Sequence, residues 1–216
     1  LLRGKTFDMM DAYSFGKNQE DLDNEYNRMK RAYLEIFETL GLKAQPVGAD
    51  SGNIGGSKSE EFMCISDIGE DNILFDEKTG IAFNSELLDK EDAKEYLGKT
   101  YGIKDLENLK TRKAVELGHI FQLGDKYAKT MNATYVDENG KQQYYVMGCY
   151  GIGVSRTLAM IYEKSIIRGK NNEFNGISLP LNIAPYSVYI IPKVDDNEKT
   201  NKSSDVYQLL LEKGVP

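Results

Sequence analysis

Two short stretches carry the residue types that could do chemistry. In "MGCYGIGVSR" (147–156), Gly148, Gly151 and Gly153 fall within six residues, and Arg156 follows three positions after the last of them. The flanking pattern puts the stretch at the end of an antiparallel strand that runs directly into a helix. Glycine lets a planar or anionic ligand approach the backbone, and a helix N-terminus favours negative charge. Side chains in a first helical turn lean back toward its start, so Arg156 would reach over a glycine floor. That geometry predicts a nucleotide lying on glycine and covered by a guanidinium. The plainer alternative is that the glycines relieve tight strand-to-helix packing and that Arg156 is a surface charge. The dinucleotide fingerprint does not apply, because Arg156 and an antiparallel hairpin replace its third glycine and parallel βαβ unit. The Gly-Lys-Ser/Thr of a phosphate-binding loop is absent.

The second stretch, "RGKTFDMMD", has Arg3, Phe7 and Asp11 spaced four apart. On one strand, period-two alternation would put all three on one face. A guanidinium suits a triphosphate, an aromatic ring a base, and a carboxylate an ammonium group. The alternative is an ordinary half-buried strand with Phe7 in the core. His119 is the only histidine; it could be structural, hydrogen-bonded beside its strand.

The elements that must hold these residues follow from pattern. A strand is expected over 8–15. An amphipathic helix follows, with Leu22, Tyr26, Met29, Tyr33, Ile36, Phe37 and Leu40 at steps of three and four and Gly41 at its exit. The glycine- and serine-rich "ADSGNIGGSKSEEFMCISDIGED" reads as loop, strand "EFMCIS" and turn. Residues 84–112 read as a charged surface connector with one helix-like stretch, "DKEDAKEYLGK". Strand character returns over 114–124. Next, "ATYVDENGKQQYYVMGCY" reads as a hairpin in which Asn139-Gly140 supplies positive φ angles, followed by the helix "VSRTLAMIYEKS". A buried strand is expected over 183–192, then a polar loop over 193–205 and the start of a helix, with a domain boundary near 179–185.

The chain has 216 residues, room for one sizeable core or for a domain plus part of another. Its start without methionine and its end just past a helix suggest a piece of a longer protein. A formal charge of −7 leaves no basic footprint for nucleic acid. Two cysteines are too few for a disulfide framework and fit a reducing compartment. No apolar run approaches the ~20 residues of a membrane span, so the expected location is cytoplasmic, with no membrane partner.

Taken together, these stretches resemble the catalytic core of bacterial prolyl-tRNA synthetase, a class II aminoacyl-tRNA synthetase. "RGKTFDMMDAYSF" looks like the second half of that class's motif 2, and "MGCYGIGVSR" like its motif 3. "ADSGNIGGSKSEEFM", "GEDNI", "ELGHIFQLGDKYAKTMNATYVDENGK" and "GISLPLNIAPYSVYIIP" read like the prolyl enzyme in order. The resemblance implies an α+β fold. Residues 1–182 would form a partial class II core, with a six-stranded-type antiparallel sheet flanked by helices, and 183–216 would begin an α/β anticodon-binding domain. It also implies that 84–112 stands where many bacterial relatives carry an editing insertion.

The implied activity joins proline to ATP as prolyl-adenylate, then passes the prolyl group to tRNA(Pro), with Mg²⁺ on the pyrophosphate and a homodimeric full-length protein. Carried over by motif, Arg3 meets the distal phosphates, Phe7 lies under adenine, and Arg156 packs on its other face. Gly151 and Gly153 floor the nucleotide site, and Glu116 is an ATP or Mg²⁺ ligand. Met9, Asp11, His119, Cys149 and Gly151 line the proline pocket, Asp11 being the natural partner of the imino nitrogen. No basic neighbour in sequence would lower the Cys149 pKa, so it reads as a wall residue rather than a nucleophile. The family pattern departs at Met10, where lysine is common, and at Glu60, where histidine is usual. A non-catalytic, synthetase-like binding protein is the competing reading; a nucleotide hydrolase is disfavoured because no metal cluster or water-activating base is apparent.

Overall fold

The computed structural model describes residues 2–76, 79–103, 106, 109–192 and 197–215. By contacts the chain forms two compact units, Leu1–Lys164 and Ser165–Pro216. Among the described residues, no helix is long and apolar enough to cross a membrane.

The first unit begins with strand β1 (Met9–Gly16) and helix α1 (Gln19–Thr39). Asn18 caps α1 by accepting a hydrogen bond from the Asp21 backbone N–H. The helix buries Leu22, Tyr26, Tyr33 and Phe37 and leaves Ile36 exposed. Four aromatic or aliphatic side chains of this kind each contribute about 1.5–3 kcal/mol on burial. The Tyr33 and Phe37 rings pack on Phe62 with centroids 5.1 and 5.8 Å away. The helix thereby covers one face of a sheet and leaves the other free.

Then come β2 (Ala44–Gly48), β3 (Lys58–Ile65), β4 (Asp71–Phe75), β5 (Ala82–Asn84), a 3-10 turn (Ser85–Asp89) and α2 (Ala93–Tyr101). They are followed by β6 (Lys110–Gly124), α3 (Lys126–Met131), β7 (Thr134–Val136), β8 (Gln142–Tyr144), β9 (Val146–Gly153) and α4 (Val154–Ser165). The sheet has seven strands in the order β1-β9-β6-β3-β2-β5-β4. It is antiparallel except for one parallel pairing, Gly48 with Phe83. Strand β6 is long enough to pair with β4 over Lys110–Ala114 and with β3 over Ala114–Gln122. The pairings β6-β3-β2-β5-β4 thus close on themselves. Val47, Met63, Ile73, Ala82 and Ala114, one residue from each of these strands, form a buried cluster.

Several expectations need correction. Strand β1 starts only at Met9, so Arg3 and Phe7 precede it and do not share its alternation with Asp11. Segment 84–112 is not a bare connector: Leu87, Leu97 and Ile103 bury against Phe83, with Leu74, Ile81 and Leu109 packed around them. In the β7–β8 hairpin, Gly140 has φ 75° but Asn139 is not in the left-handed region. The turn is organised instead by the Asp137 carboxylate, which accepts from the backbone N–H groups of Asn139 and Lys141 at 2.9 and 2.8 Å.

The second unit holds the hairpin β10 (Ile166–Arg168) and β11 (Phe174–Ile177) and helix α5 (Asn197–Glu212). The hairpin forms its own two-stranded sheet, which places the division by packing at Ser165 rather than near 179–185. Residues 183–192 form no strand, and Tyr189 and Ile191 are 80% and 82% exposed. A strand needs a pairing partner, and none of the described segments pairs with them. Instead Tyr186 and Val188, with Tyr207 and Leu210 of α5, line a cavity of about 410 Å³. Helix α5 begins inside the stretch expected as a polar loop, of which 193–196 lie outside the described residues.

Candidate active site

On the sheet face opposite α1, the register sets Asp11, Gly151, His119 and Glu61 abreast on β1, β9, β6 and β3. Tyr13, Cys149, Phe121 and Ser59 form the next row. Strands lie about 4.8 Å apart, so the backbones bearing Asp11 and His119 stand about 10 Å apart, with only glycine between. A Cβ added at Gly151 would lie 3.1 Å from Met9 Cε and 3.5 Å from Asp11 Oδ1. Glycine there keeps a slot open. Gly148 serves packing instead: the Tyr150 hydroxyl occupies the place of its missing Cβ and shares a 2.8 Å hydrogen bond with Ser14. At Gly153 an added Cβ would make only ordinary contact, 3.6 Å from the Arg156 Cβ.

Two residues along β9 from Gly151, Gly153 lines a pocket with the residues expected to bind nucleotide. Arg156 lies in the first turn of α4 and donates from Nη1 to both the carbonyl and Oε2 of Glu116, at 2.9 and 2.8 Å. Its side chain is only 15% exposed, so it is not a surface charge. Arg3 donates from Nε to Glu70 Oε2 at 2.7 Å, and its Nη2 lies 3.5 Å from Asp71 and 3.8 Å from Glu116. Arg3, Thr6, Phe7, Gly153 and Arg156 line one pocket of about 300 Å³. Phe7 is 51% exposed and lies outside the core. The backbone of Asp8 ties this segment to the start of α4: its carbonyl accepts from Val154 N–H, and its N–H donates to Ser155 Oγ.

The electrostatics separate the acidic groups. Burial pushes the Glu116 carboxyl up, but His119 and Arg156 outweigh it and hold the group below the ordinary glutamate range. Burial pushes the Glu61 carboxyl up to about 8, despite a hydrogen bond from Asn84. Cys149 is raised by burial and then by Asp11, so its thiol stays protonated near neutrality, in keeping with a wall residue.

His119 Nδ1 lies 3.5 Å from Glu116 Oε1 and 3.7 Å from Glu61 Oε1. Its ring stacks on Phe121 with centroids 3.9 Å apart. Its Nε2 is buried and has no hydrogen-bond partner among the described residues. Ligand atoms of Glu61, Glu116 and His119 lie within 4.8 Å of one another, a constellation that sequence reasoning missed. Alternation along "SEEFMC" separates Glu61 from Glu60, which turns to α1 and accepts from Tyr26 and Lys30 at 2.9 and 2.6 Å. That signal was available in the sequence; the pairing of β3 with β6 that brings Glu61 to His119 was not. The structure therefore gathers Arg3, Phe7, Gly153 and Arg156 at one end, and Met9, Asp11, Cys149, Gly151 and His119 at the other, with Glu116 joining them.

The family model for the tRNA synthetase class II core domain (G, H, P, S and T) matches residues 1–165. A proline–tRNA ligase from Ehrlichia ruminantium is 38% identical over 97% of this chain and 50% of its own length. One from Rickettsia typhi is 37% identical over 100% of this chain and 51% of its own. The chain thus spans about half the length of the curated relatives it matches. The solved prolyl-tRNA synthetase of Cryptosporidium parvum, complexed with halofuginone and AMPPNP, aligns over 99% of this chain and 35% of its own, with TM-score 0.66 and 15% identity. A second structure of that protein, complexed with L-proline and AMP, aligns with TM-score 0.61. The fold is shared at that distance, and with its first 165 residues matching the family model the chain belongs to the class II tRNA synthetase core family.

Proposed function

We propose that this chain is the catalytic core of a proline–tRNA ligase, which activates proline with ATP and transfers it to tRNA(Pro). The observation that carries the reading is the glycine-floored gap between Asp11 and His119, set two residues along β9 from Gly153, which lines the pocket of Arg3, Phe7 and Arg156. The slot suits a small cyclic amino acid and the pocket a nucleoside triphosphate. Relatives named proline–tRNA ligase match nearly the whole chain and support the choice of substrate.

In this mechanism the proline ring lies over Gly151 between Met9, Cys149 and His119. The Asp11 carboxylate accepts hydrogen bonds from the protonated imino nitrogen, which directs the proline carboxylate toward Gly153. Adenine packs between Phe7 and Arg156, and Arg3 exchanges Glu70 for the distal phosphates. A proline carboxylate oxygen attacks the α-phosphorus, an O–P bond forms, and the bond to the bridging oxygen breaks as pyrophosphate leaves. No protein nucleophile is needed. The rate comes from positioning and from fixed positive charge where negative charge develops. A terminal ribose hydroxyl of the tRNA then attacks the prolyl carbonyl, the acyl C–O bond to the phosphate breaks, and AMP leaves with the bonding electrons and takes up the hydroxyl proton.

Glu116 is ionised and borders the pocket, and with Asp71 it offers the hard oxygen donors that Mg²⁺ takes together with substrate phosphates. Bound there, Mg²⁺ supplies charge neutralisation for the leaving pyrophosphate. The full-length protein is proposed to act as a cytoplasmic homodimer, with 183–216 contributing to an anticodon-binding domain. The test is ATP–pyrophosphate exchange by the full-length protein with each amino acid in turn. Exchange that depends on proline is expected; exchange indifferent to proline would overturn the reading.

A further inference from the structure

His119 forms one wall of the slot, yet its imidazole does not hold itself in place. One face rests on Phe121, and Nδ1 looks toward two carboxyl oxygens, Glu116 Oε1 at 3.5 Å and Glu61 Oε1 at 3.7 Å. Glu116 is committed through its other oxygen to Arg156, at the nucleotide end. Glu61 is anchored differently. Its Oε2 accepts from Asn84 Nδ2 at 3.0 Å, and Asn84 Oδ1 in turn accepts from the Glu86 backbone N–H at 3.2 Å. Both Asn84 and Glu61 are buried, at 6% and 8% exposure. Asn84 ends β5 and caps the 3-10 turn that opens segment 84–112.

We propose that Glu61, fixed by Asn84, is a positioning residue that sets the His119 imidazole at the wall of the amino-acid slot. The inference rests on the ligase reading and deepens it: amino-acid affinity is set partly from the segment that begins at Asn84. Without Glu61, Glu116 is the only carboxyl left beside Nδ1, and it draws the ring toward the nucleotide end and away from the slot. A metal ion is the other use such a trio suggests. Asn84, however, occupies the second oxygen of Glu61, and Glu116 is turned through its Oε2 to Arg156 and the nucleotide end.

The test is proline-dependent pyrophosphate exchange by variants of the full-length protein, reading the KM values of proline and ATP separately. Glu61→Ala should raise the proline KM about tenfold, the scale of leaving a buried polar group without its partner, and leave the ATP KM within about twofold. In a His119→Ala background, Glu61→Ala should add nothing, because it acts through that ring. The reciprocal pair Glu61→Gln with Asn84→Asp reverses donor and acceptor while leaving an amide oxygen for His119. It should restore a proline KM that each single change raises, and this keeps the test meaningful if Glu61→Ala folds poorly. An unchanged proline KM in Glu61→Ala, equal losses for both substrates, or no rescue in the pair would overturn the proposal. Stoichiometric zinc or manganese in the purified parent, lost with Glu61→Ala, would overturn it in favour of a metal site. Absence of proline-dependent exchange in the parent would instead sink the ligase reading beneath it.

Discussion

The glycines of 148–153 show how one residue type answers different demands three positions apart. Gly151 keeps substrate space and Gly148 keeps packing space, so the same substitution should fail differently. Gly151→Ala places a methyl group beside Met9 and Asp11. It should raise the proline KM while thermal stability holds, as kinetics and melting of the full-length protein would show. Gly148→Ala collides with the Tyr150 hydroxyl and should cost about 1–3 kcal/mol of stability, the range for overpacking a core. Arg156→Ala should slow adenylate formation by about 10²-fold, as expected for loss of one preorganised charge-stabilising donor; a near-normal rate in pyrophosphate exchange would refute its role. Glu61 makes a pH prediction with a definite sign. Its folded pKa of about 8 lies above the ordinary glutamate value of 4.5, so between these values the folded state holds a proton that the unfolded state has lost. Stability therefore falls as pH rises through that window. Glu61→Gln should flatten the decline, measured by denaturant unfolding at about pH 5 and pH 8; an identical slope in parent and variant would show that Glu61 does not carry it.

At the scale of elements, segment 84–112 is where packing contradicts appearance. Its charges suggest a solvated connector, but Leu97 is fully buried with Phe83, Leu87 and Ile103. Leu97→Ala should cost about 2–5 kcal/mol by chemical denaturation, as for other buried leucines; a loss under ~0.5 kcal/mol would return the segment to a loose connector. What sequence revealed follows from element length. The 21 residues of α1 and the eight of β1 repeat their pattern often enough to show a period. Strands β2, β4 and β5 have five, five and three residues, too few for periodicity. They are defined by the ring of pairings that β6 closes, a non-local property. The site divides the same way. Arg3, Phe7, Asp11, Gly151 and Arg156 were legible from local motifs, whereas Glu61 and Asn84 acquire meaning only when β3, β5 and β6 lie side by side.

For the whole molecule, the same slot sets a limit on accuracy. Alanine is smaller than proline and can enter the space above Gly151, and a missing methylene or two is worth only ~1–3 kcal/mol each in discrimination. Misactivated alanine is therefore expected, and some site must hydrolyse it from tRNA(Pro) if it is to be cleared. Segment 84–112 is 29 residues long, below the ~50 residues of an independent domain. Among the described residues, its buried apolar side chains pack with Phe83 and Leu74 of the ring rather than into a core of their own. The purified full-length protein should accordingly exchange pyrophosphate with alanine at a detectable rate and leave preformed alanyl-tRNA(Pro) intact, so that clearance falls to a separate hydrolase. Deacylation well above the spontaneous rate would refute this. If that activity survived deletion of 91–103, the hydrolytic site would have to lie elsewhere in the full-length chain; if it vanished while proline activation persisted, the packed segment would itself contain the site.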